Sequence, residues 1–410
     1  MNQKNLRCAA EGPLFTRNFT LLLLGQVCSL AGNGMLRFAL SMYVLEQTGS
    51  AGIYGGILAV GTALAVVLSP VGGVLADRLD RRKLMVALDG LSGLCALTAA
   101  LFFSHRGGVW MLGVLSVALA VPAALETPVT QASIPQMHRG GNLIRANAAA
   151  AQVQALAGLA APVLGGLFYG AFGVRAALWT AAVCFSFTAG FECFLQLPAV
   201  PGASHGGHGL AGALRFLRVE QPRAGGLLGL GALANFLVVG LEAVGFPYLV
   251  RTVLGMSAQV YGAAEGLVGA SALAGSVAAS ALAGRAGTGR LHLVLVAMGA
   301  VFVPACALPL LPGAGARCAA LVVLFCLGQA LASLFSVFAI SALGACTPPA
   351  MTGRVMAFTA AAVQAAQPAG QLLYGVLFDT LPGFWVLSVT GAALAVLGAL
   401  FAPLFRRPWN

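Results

Sequence analysis

Residues 72–83 read Gly72-Gly73-Val74-Leu75-Ala76-Asp77-Arg78-Leu79-Asp80-Arg81-Arg82-Lys83, with six charges from Asp77 to Lys83 in a chain that is only 8% charged. Long apolar runs flank this stretch at 52–76 and 84–103, and each is about long enough to span a bilayer. A charged turn between two such runs cannot sit in lipid, so it must lie at a membrane surface. Its basic excess, four Lys and Arg against two Asp, predicts that this surface is cytoplasmic.

The composition of the whole chain agrees with a membrane protein. Hydrophobic residues make up 59%, the mean hydropathy is +0.92, and 410 residues hold only 22 Lys and Arg and 11 Asp and Glu. These values exclude a soluble globular protein and predict an all-α polytopic membrane protein. The basic residues are scattered one loop at a time, which indicates topology rather than binding to nucleic acid. Nine cysteines form no C-x-x-C or Cys/His cluster, so we expect no disulfide framework, metal site or cofactor.

Apolar segments of membrane length recur twelve times, and a polar stretch at 198–223 divides them into two groups of six. We number them spans 1–12: 18–45, 52–76, 84–104, 108–134, 146–170, 176–197, 224–250, 257–283, 291–311, 317–343, 354–378 and 383–405. Seventeen Lys and Arg fall at the ends assigned to the cytoplasm and four at the other ends. The sequence therefore predicts six-helix bundles at 1–197 and 224–410, a cytoplasmic linker at 198–223, and both termini inside.

The two groups of spans carry a weak internal repeat with an offset of about 207 residues. Leu75-Ala76-Asp77-Arg78 recurs as Leu282-Ala283-Gly284-Arg285, and Tyr54-Gly55 recurs as Tyr261-Gly262. Two related six-helix halves are typical of transporters built from parallel repeats. The second copy has lost the acid of the first, since Gly284 stands where Asp77 stands.

The spacing Gly73-x-x-x-Asp77-Arg78-x-x-Arg81-Arg82 resembles the loop 2–3 signature of the major facilitator superfamily of secondary transporters. That signature usually reads G-x-x-x-D-R-x-G-R-R, and the Asp80 variant is similar to macrolide- and siderophore-exporter-like members. The resemblance implies two six-helix bundles that rock around a central cavity. It also implies a conformational device formed by Gly73, Asp77, Arg78, Asp80, Arg81, Arg82 and Lys83.

Physical reasons support such a device. Gly73 would let two helices pack closely. The arginines would reach carboxylates or lipid headgroups, and we expect Asp77 to approach the N-terminus of span 11, near Thr352. The alternative is a positive-inside loop with no mechanical role.

Span 5 contains Ala161-Pro162-Val163-Leu164-Gly165-Gly166, similar to the export-associated G-P-x-x-G-G pattern of the same superfamily, with Ala161 in place of the first glycine. Small residues permit close contact with a facing helix, and Pro162 is expected to bend span 5. The pattern favours export over import. Ordinary packing of small residues is the alternative.

Ionisable residues inside spans indicate functional sites, because each costs about 2.5–3.5 kcal/mol at mid-membrane on insertion scales. The candidates for substrate or proton binding are Arg37, Glu126, Glu242 and Glu265. We interpret Asp89 as part of the loop 2–3 charge network and Glu192 as a side chain that snorkels to the surface. Uncharged polar residues are expected to line the cavity: Gln26, Asn33, Gln152, Asn235, Gln329, Gln364 and Gln367.

Spans 1 and 7 carry exchanged charges at equivalent positions. Aligning Tyr43 with Tyr248 puts Arg37 opposite Glu242. The same alignment puts Glu46 opposite Arg251 at the outer mouth. We hypothesise that these opposite charges pair between the halves and form a gate. Alternatively, Arg37 pairs within its own half and the mouth charges are solvated and contribute little.

Together these features predict a monomeric exporter in the plasma membrane that moves a small amphipathic compound, such as a drug, a macrolide-like molecule or a secreted metabolite. Its predicted partners are the substrate, protons and the lipid bilayer. No G-x-x-x-x-G-K-[ST] loop is present, so ATP use is not expected, and no catalytic signature supports an enzyme. Proton-coupled uptake of a nutrient or organic anion, a polytopic membrane enzyme and a channel are the alternatives.

Overall fold

A computed structural model describes residues 13–104, 106–138, 141–197, 221–282, 291–348 and 351–405. Within these residues the chain is helical and contains no β-strand. The predicted linker at 198–223 lies outside the described residues except for its last three positions, and so does most of the repeated segment at 282–285. The all-helical prediction is confirmed.

Thirteen helices account for most of the described residues. Their bounds are α1 Arg17–Thr48, α2 Ala51–Arg78, α3 Arg81–Phe102, α4 Gly108–Met137, α5 Gly141–Cys193, α6 Pro222–Val253, α7 Ala258–Leu282, α8 Leu291–Leu310, α9 Gly313–Cys346, α10 Thr352–Gln364, α11 Gln367–Thr380, α12 Gly383–Leu400 and α13 Ala402–Phe405. In the described part of the chain, ten of them, all but α10, α11 and α13, are long and apolar enough to cross a membrane. Helix α6 contains two π-helical turns, Leu241–Gly245 and Leu249–Val253.

Two predicted boundaries differ from the structure for identifiable reasons. Helix α5 has 53 residues and would measure about 80 Å if straight, far more than one bilayer crossing. Gly173, with φ of 72°, divides it into two arms that match spans 5 and 6. Span 11 is interrupted at Ala365 and Ala366, because Pro368 has no N–H to donate to the carbonyl four residues earlier.

The helices form two compact units. The first comprises Met1–Ala39 and Val67–Ala203, and the second comprises Leu40–Val66 and Ser204–Asn410. The C-terminal part of α1 and the N-terminal part of α2 therefore belong to the second unit.

Each unit has its own apolar core. The first has one around Phe19, Leu22, Met85, Val129 and Leu195, which draws on helices α1 to α5 and on the residues just after α5. The second has one built by α6, α8, α9 and α12, with the buried side chains Leu227, Leu230, Leu291, Leu295, Met298, Phe335, Phe338, Leu343 and Leu394. Because lipid is as apolar as these side chains, close packing rather than exclusion from water holds such helices together.

Candidate functional site

The charged signature lies on helix ends rather than in a loop. Helix α2 ends at Arg78 and α3 begins at Arg81, so only Leu79 and Asp80 lie between them. Asp80 is the N-cap of α3, and its Oδ1 atom accepts a hydrogen bond from the backbone N–H of Lys83 at 3.3 Å. Asp is among the preferred residues at this position. The replacement of the usual glycine by Asp80 therefore stabilises the start of α3.

The signature arginines bind backbone carbonyls near the ends of three helices. Arg81 donates from Nε to the Ala76 carbonyl at 2.8 Å and from Nη1 to the Ala132 carbonyl at 2.6 Å, and its Nη2 lies 3.6 Å from Asp77 Oδ1. Arg82 donates to the carbonyl of Cys193, the last residue of α5. Positive charge near helix C-termini offsets the negative end of the helix dipole. The two arginines thus tie the start of α3 to α2, α4 and α5.

Close packing at the signature uses Gly72, not Gly73. A Cβ atom added to Gly73 would meet nothing within 4 Å, whereas one added to Gly72 would lie 2.9 Å from the Cα and the carbonyl oxygen of Leu125. The prediction for Gly73 is wrong because neighbouring helical residues point about 100° apart, and it is the preceding residue that faces α4.

The pattern in α5 packs against α1. A Cβ atom on Gly165 would lie 2.8 Å from Phe38 Cγ, and one on Gly34 would overlap Ala161. Gly166 is buried. The small residues therefore permit the close contact expected of them. The expected bend at Pro162 stays a prediction, and the backbone of α5 departs from helical φ/ψ at Gly173.

Three carboxylates from α3, α4 and α5 meet inside the first unit. One oxygen each of Asp89, Glu126 and Glu192 lies within 4.8 Å of the others, and the Ser29 hydroxyl donates to Asp89 Oδ1 at 3.5 Å. Asp89 is 0% exposed and Glu192 is 2% exposed. Both earlier interpretations are corrected: Asp89 faces this cluster rather than the signature charges, and Glu192 is buried rather than snorkelling.

A polar cavity of about 270 Å³ lies within the second unit, between α6, α8 and α9. Its wall includes Glu242, Asn235, Gln329, Ser333 and Ser336, and the remainder is apolar. A few polar groups in an apolar wall are typical of small-molecule sites. Glu242 lies in the first π-helical turn of α6, and such turns are frequent at functional sites. The structure thus brings together three of the residues singled out from the sequence.

Glu265 belongs to the surroundings of this cavity. It acts electrostatically on Glu242 and lies beside the buried hydroxyl group of Tyr261. Ser41, from the part of α1 in the second unit, also reaches Tyr261. A polar path therefore continues from the cavity into α7 and α1.

The ends of α1 and α2 nearest their connecting turn bind to helices α6 and α11 of the second unit. Glu46 forms an ion pair with Arg251, and Arg251 also donates to the Met256 carbonyl at 2.5 Å. Asp379, in the last turn of α11, accepts hydrogen bonds from the Ser50 hydroxyl and from the N–H groups of Ala51 and Gly52, at 2.6, 2.7 and 3.0 Å. We call these two sets the α1–α2 end contacts.

Asp379 was not among the residues that the sequence singled out. It sits at the end of a span, where a charge is unremarkable, and only the fold brings it to the N-terminus of α2. Its carboxylate caps the positive end of that helix dipole. The close approach needs glycine, since a Cβ atom on Gly52 would lie 2.7 Å from Asp379 Oδ2 and one on Gly375 would lie 3.0 Å from the Gly52 Cα.

Arg37 lies in the first unit with an exposed side chain, and Glu242 lies in the second. Their pairing stays a prediction. Glu126, the remaining candidate, belongs to the carboxylate cluster rather than to the polar cavity.

Three features together are typical of a membrane transporter: apolar helices of membrane length, a charged signature at helix ends and a polar cavity. The chain belongs to the Major Facilitator Superfamily, whose sequence model matches residues 22–370. It is therefore a multi-pass membrane protein of a transporter family, not an enzyme.

Its relatives include several exporters. The chain is 28% identical to the multidrug efflux pump Tap of Mycobacterium tuberculosis over 256 residues, or 59% of each chain. It is 27% identical to macrolide efflux protein A of Streptococcus pyogenes over 160 residues, 38% of this chain and 39% of that one. It is 29% identical to the enterobactin exporter EntS of Citrobacter koseri over 224 residues, 52% of each. The matches thus span between two fifths and three fifths of these relatives.

Solved structures support the fold. A bacterial homologue of the iron transporter ferroportin, in an inward-facing state, superposes with a TM-score of 0.74 at 17% identity, covering 95% of this chain and 99% of that one. The nucleoside transporter NupG superposes with a TM-score of 0.71 at 14% identity, covering 94% and 99%. At these identities the likeness concerns the fold alone.

Proposed function

We propose that this chain exports a small amphipathic compound, such as a drug, a macrolide-like molecule or a secreted metabolite, across the plasma membrane by proton antiport. The observation that carries this proposal is the cavity that places the Glu242 carboxylate among amides, hydroxyls and apolar side chains. The apolar part of the wall suits the apolar part of such a compound. The carboxyl group of Glu242 can release a proton when the compound binds and take one up when it leaves. Three relatives are named as efflux proteins or exporters, which supports transport out of the cell.

The predicted topology has twelve crossings in two six-helix bundles, with both termini in the cytoplasm and a monomer as the working unit. Counting the arms of α5 as two crossings, and α10 with α11 as one, supports twelve. The signature and the α1–α2 turn lie at opposite ends of α2. Since basic residues mark the signature end as cytoplasmic, the α1–α2 end contacts lie on the outer side.

In this scheme the two halves alternate between two arrangements. The α1–α2 end contacts close the outer side in one arrangement and break in the other. Glu242 and Glu265 exchange protons as the cavity changes sides. Glu126 is the third candidate for this role.

An efflux assay tests the proposal. Cells that express the protein are loaded with a panel of fluorescent drugs, and accumulation is followed with and without a proton uncoupler. We expect lower accumulation on expression and loss of this difference with the uncoupler. Higher accumulation on expression would instead indicate uptake. No effect on any compound that is matched for size to the cavity would contradict drug export.

Two substitutions test proton coupling and substrate recognition separately. Glu242→Gln should abolish gradient-driven efflux but retain exchange of substrate across vesicle membranes, because the cavity keeps its shape. Asn235→Ala is the matched control: it removes a polar group from the same wall without removing an acid, so it should change which drugs are moved but not the proton requirement. If Gln at positions 126, 242 and 265 together leaves gradient-driven efflux intact, these residues do not carry the protons.

A further inference from the structure

The carboxylate cluster in the first unit lies outside the polar cavity, and of its three members only Glu126 has been considered so far, as a candidate for proton exchange. Asp89 on α3, Glu126 on α4 and Glu192 at the end of α5 place one oxygen each within 4.8 Å of the others. Asp89 is eight residues from the start of α3, about 12 Å along the helix from the signature end. Three acids at this depth are costly unless something offsets their charge.

No basic side chain offsets it. In the described part of the chain, none of the three carboxylates makes an ion pair with Lys or Arg. Arg82 reaches the residue next to Glu192, but it donates to the backbone carbonyl of Cys193 rather than to a carboxylate. Asp89 and Glu126 both act electrostatically on Glu192, and Asp89 and Glu192 also share a side-chain hydrogen bond, so the cluster contains acids only.

The hydrogen-bond pattern gives a second, independent observation. Asp89 Oδ2 and Glu192 Oε2 are fully buried and accept no hydrogen bond from any described residue. The residues that carry them are 0% and 2% exposed. Ser29 contacts the other oxygen of Asp89, at 3.5 Å. Buried acceptors without a donor point to a ligand that binds oxygen.

The donor set defines the chemistry of that ligand. All the groups present are hard oxygens: three carboxylates and one hydroxyl. Hard divalent cations such as Ca²⁺, Mg²⁺ and Mn²⁺ bind oxygen ligands at about 2.0–2.6 Å, which places ligands on opposite sides of the ion about 4–5 Å apart. The spacing of the three oxygens matches this range. A divalent ion also offsets two of the three negative charges at once.

We propose that Asp89, Glu126 and Glu192 form a binding site for one hard divalent cation, with the Ser29 hydroxyl beside it. Glu126 is half-buried while the other two carboxylates are fully buried, so the ion enters from the Glu126 side. Binding joins α3, α4 and the end of α5. The sequence predicted no metal site, because carboxylates on three distant helices leave no spacing pattern.

The site is tested on the purified full-length protein after treatment with a chelator. Binding of Mn²⁺ is followed by loss of the electron paramagnetic resonance signal of the free ion. We expect one Mn²⁺ site per chain, and Ca²⁺ or Mg²⁺ should compete with Mn²⁺ for it. Asp89→Asn and Glu192→Gln should each weaken binding at least about tenfold, the lower range for disturbing a metal site. Mn²⁺ should also raise the melting temperature of the wild-type protein but not of these variants.

Asp80→Asn is the matched control, because it removes a carboxylate from the signature end of α3 but keeps an N-cap residue and leaves the cluster intact. It should bind Mn²⁺ like the wild type. If Asp89→Asn and Glu192→Gln do not fold, Glu126→Gln replaces them in the binding measurement, because Glu126 is only half-buried. Absence of Mn²⁺ binding by the wild-type protein at millimolar concentration overturns the proposal, as does equal binding by the cluster variants. Because no drug or gradient is present, this result is independent of whether the efflux proposal holds.

Discussion

Replacing Asp379 tests whether its hydrogen bonds stabilise the arrangement in which the outer side is closed. Its carboxylate accepts three hydrogen bonds from the N-terminus of α2. Losing an N-cap residue costs about 0.5–2 kcal/mol, and the exposure of Asp379 places the value toward the middle of that range. A loss of about 1–1.5 kcal/mol shifts a two-state equilibrium about 5–13-fold. Asp379→Ala should therefore increase the population with separated outer ends by about this factor.

Distances between spin labels at Gln47 and Leu381 measure this population. Both side chains are exposed, and labels introduced through unnatural amino acids leave the nine native cysteines in place. Pulsed electron paramagnetic resonance should show a longer-distance component that grows in Asp379→Ala. Ser50→Ala removes only one of the three hydrogen bonds, so it should produce a smaller change in the same direction.

Thr380→Ala is the matched control for this experiment. The Thr380 hydroxyl donates to the Val376 carbonyl of its own helix, at 2.8 Å, and not to α2. Its loss should leave the distances unchanged. An unchanged distribution in Asp379→Ala, or the same shift in Thr380→Ala, would refute the assignment of Asp379 to the closure of the outer side.

Two further variants test the signature and the exchanged charges. Asp77→Asn should cut efflux sharply at normal expression, because a charge–dipole contact of about 0.3–2 kcal/mol would be lost from one arrangement; wild-type turnover would exclude that role. Arg37→Glu and Glu242→Arg should each abolish efflux, since each leaves an unpaired charge in the membrane, and the double exchange should restore part of it. A double variant no better than the worse single variant would exclude pairing of these two residues.

The helices were predictable because their causes are local. Membrane length and apolar composition suffice to identify them, and the charges from Asp77 to Lys83 mark where α2 ends and α3 begins. The polar part of the cavity wall was predictable, since Glu242, Asn235 and Gln329 are polar residues that lipid does not tolerate, but the place of this cavity within the second unit was not. Each of these inferences needs only a window of sequence.

Several contacts between distant helices were not predictable. Asp89 and Glu192 are about a hundred residues apart, and only the packing of α3 on α5 shows that both are buried together. Gly72 and Gly73 look alike in sequence, yet only the rotation of α2 decides which one meets α4. Asp379 likewise gains its partners from α2, more than three hundred residues earlier.

The two π-helical turns of α6 carry a consequence for how this gene tolerates insertions and deletions. Each π turn holds one residue more than a regular α-helical turn would, and Glu242 and Arg251 lie in the first and the second of them. Deleting one residue within Leu241–Gly245 would let that turn relax to regular α-helical geometry while the residues on either side keep their facing. Deleting one residue in the regular part of α6 before it would instead rotate everything beyond by about 100°, and Arg251 would turn away from Glu46. Loss of a single codon should therefore be tolerated better within this π turn than in the part of α6 that precedes it.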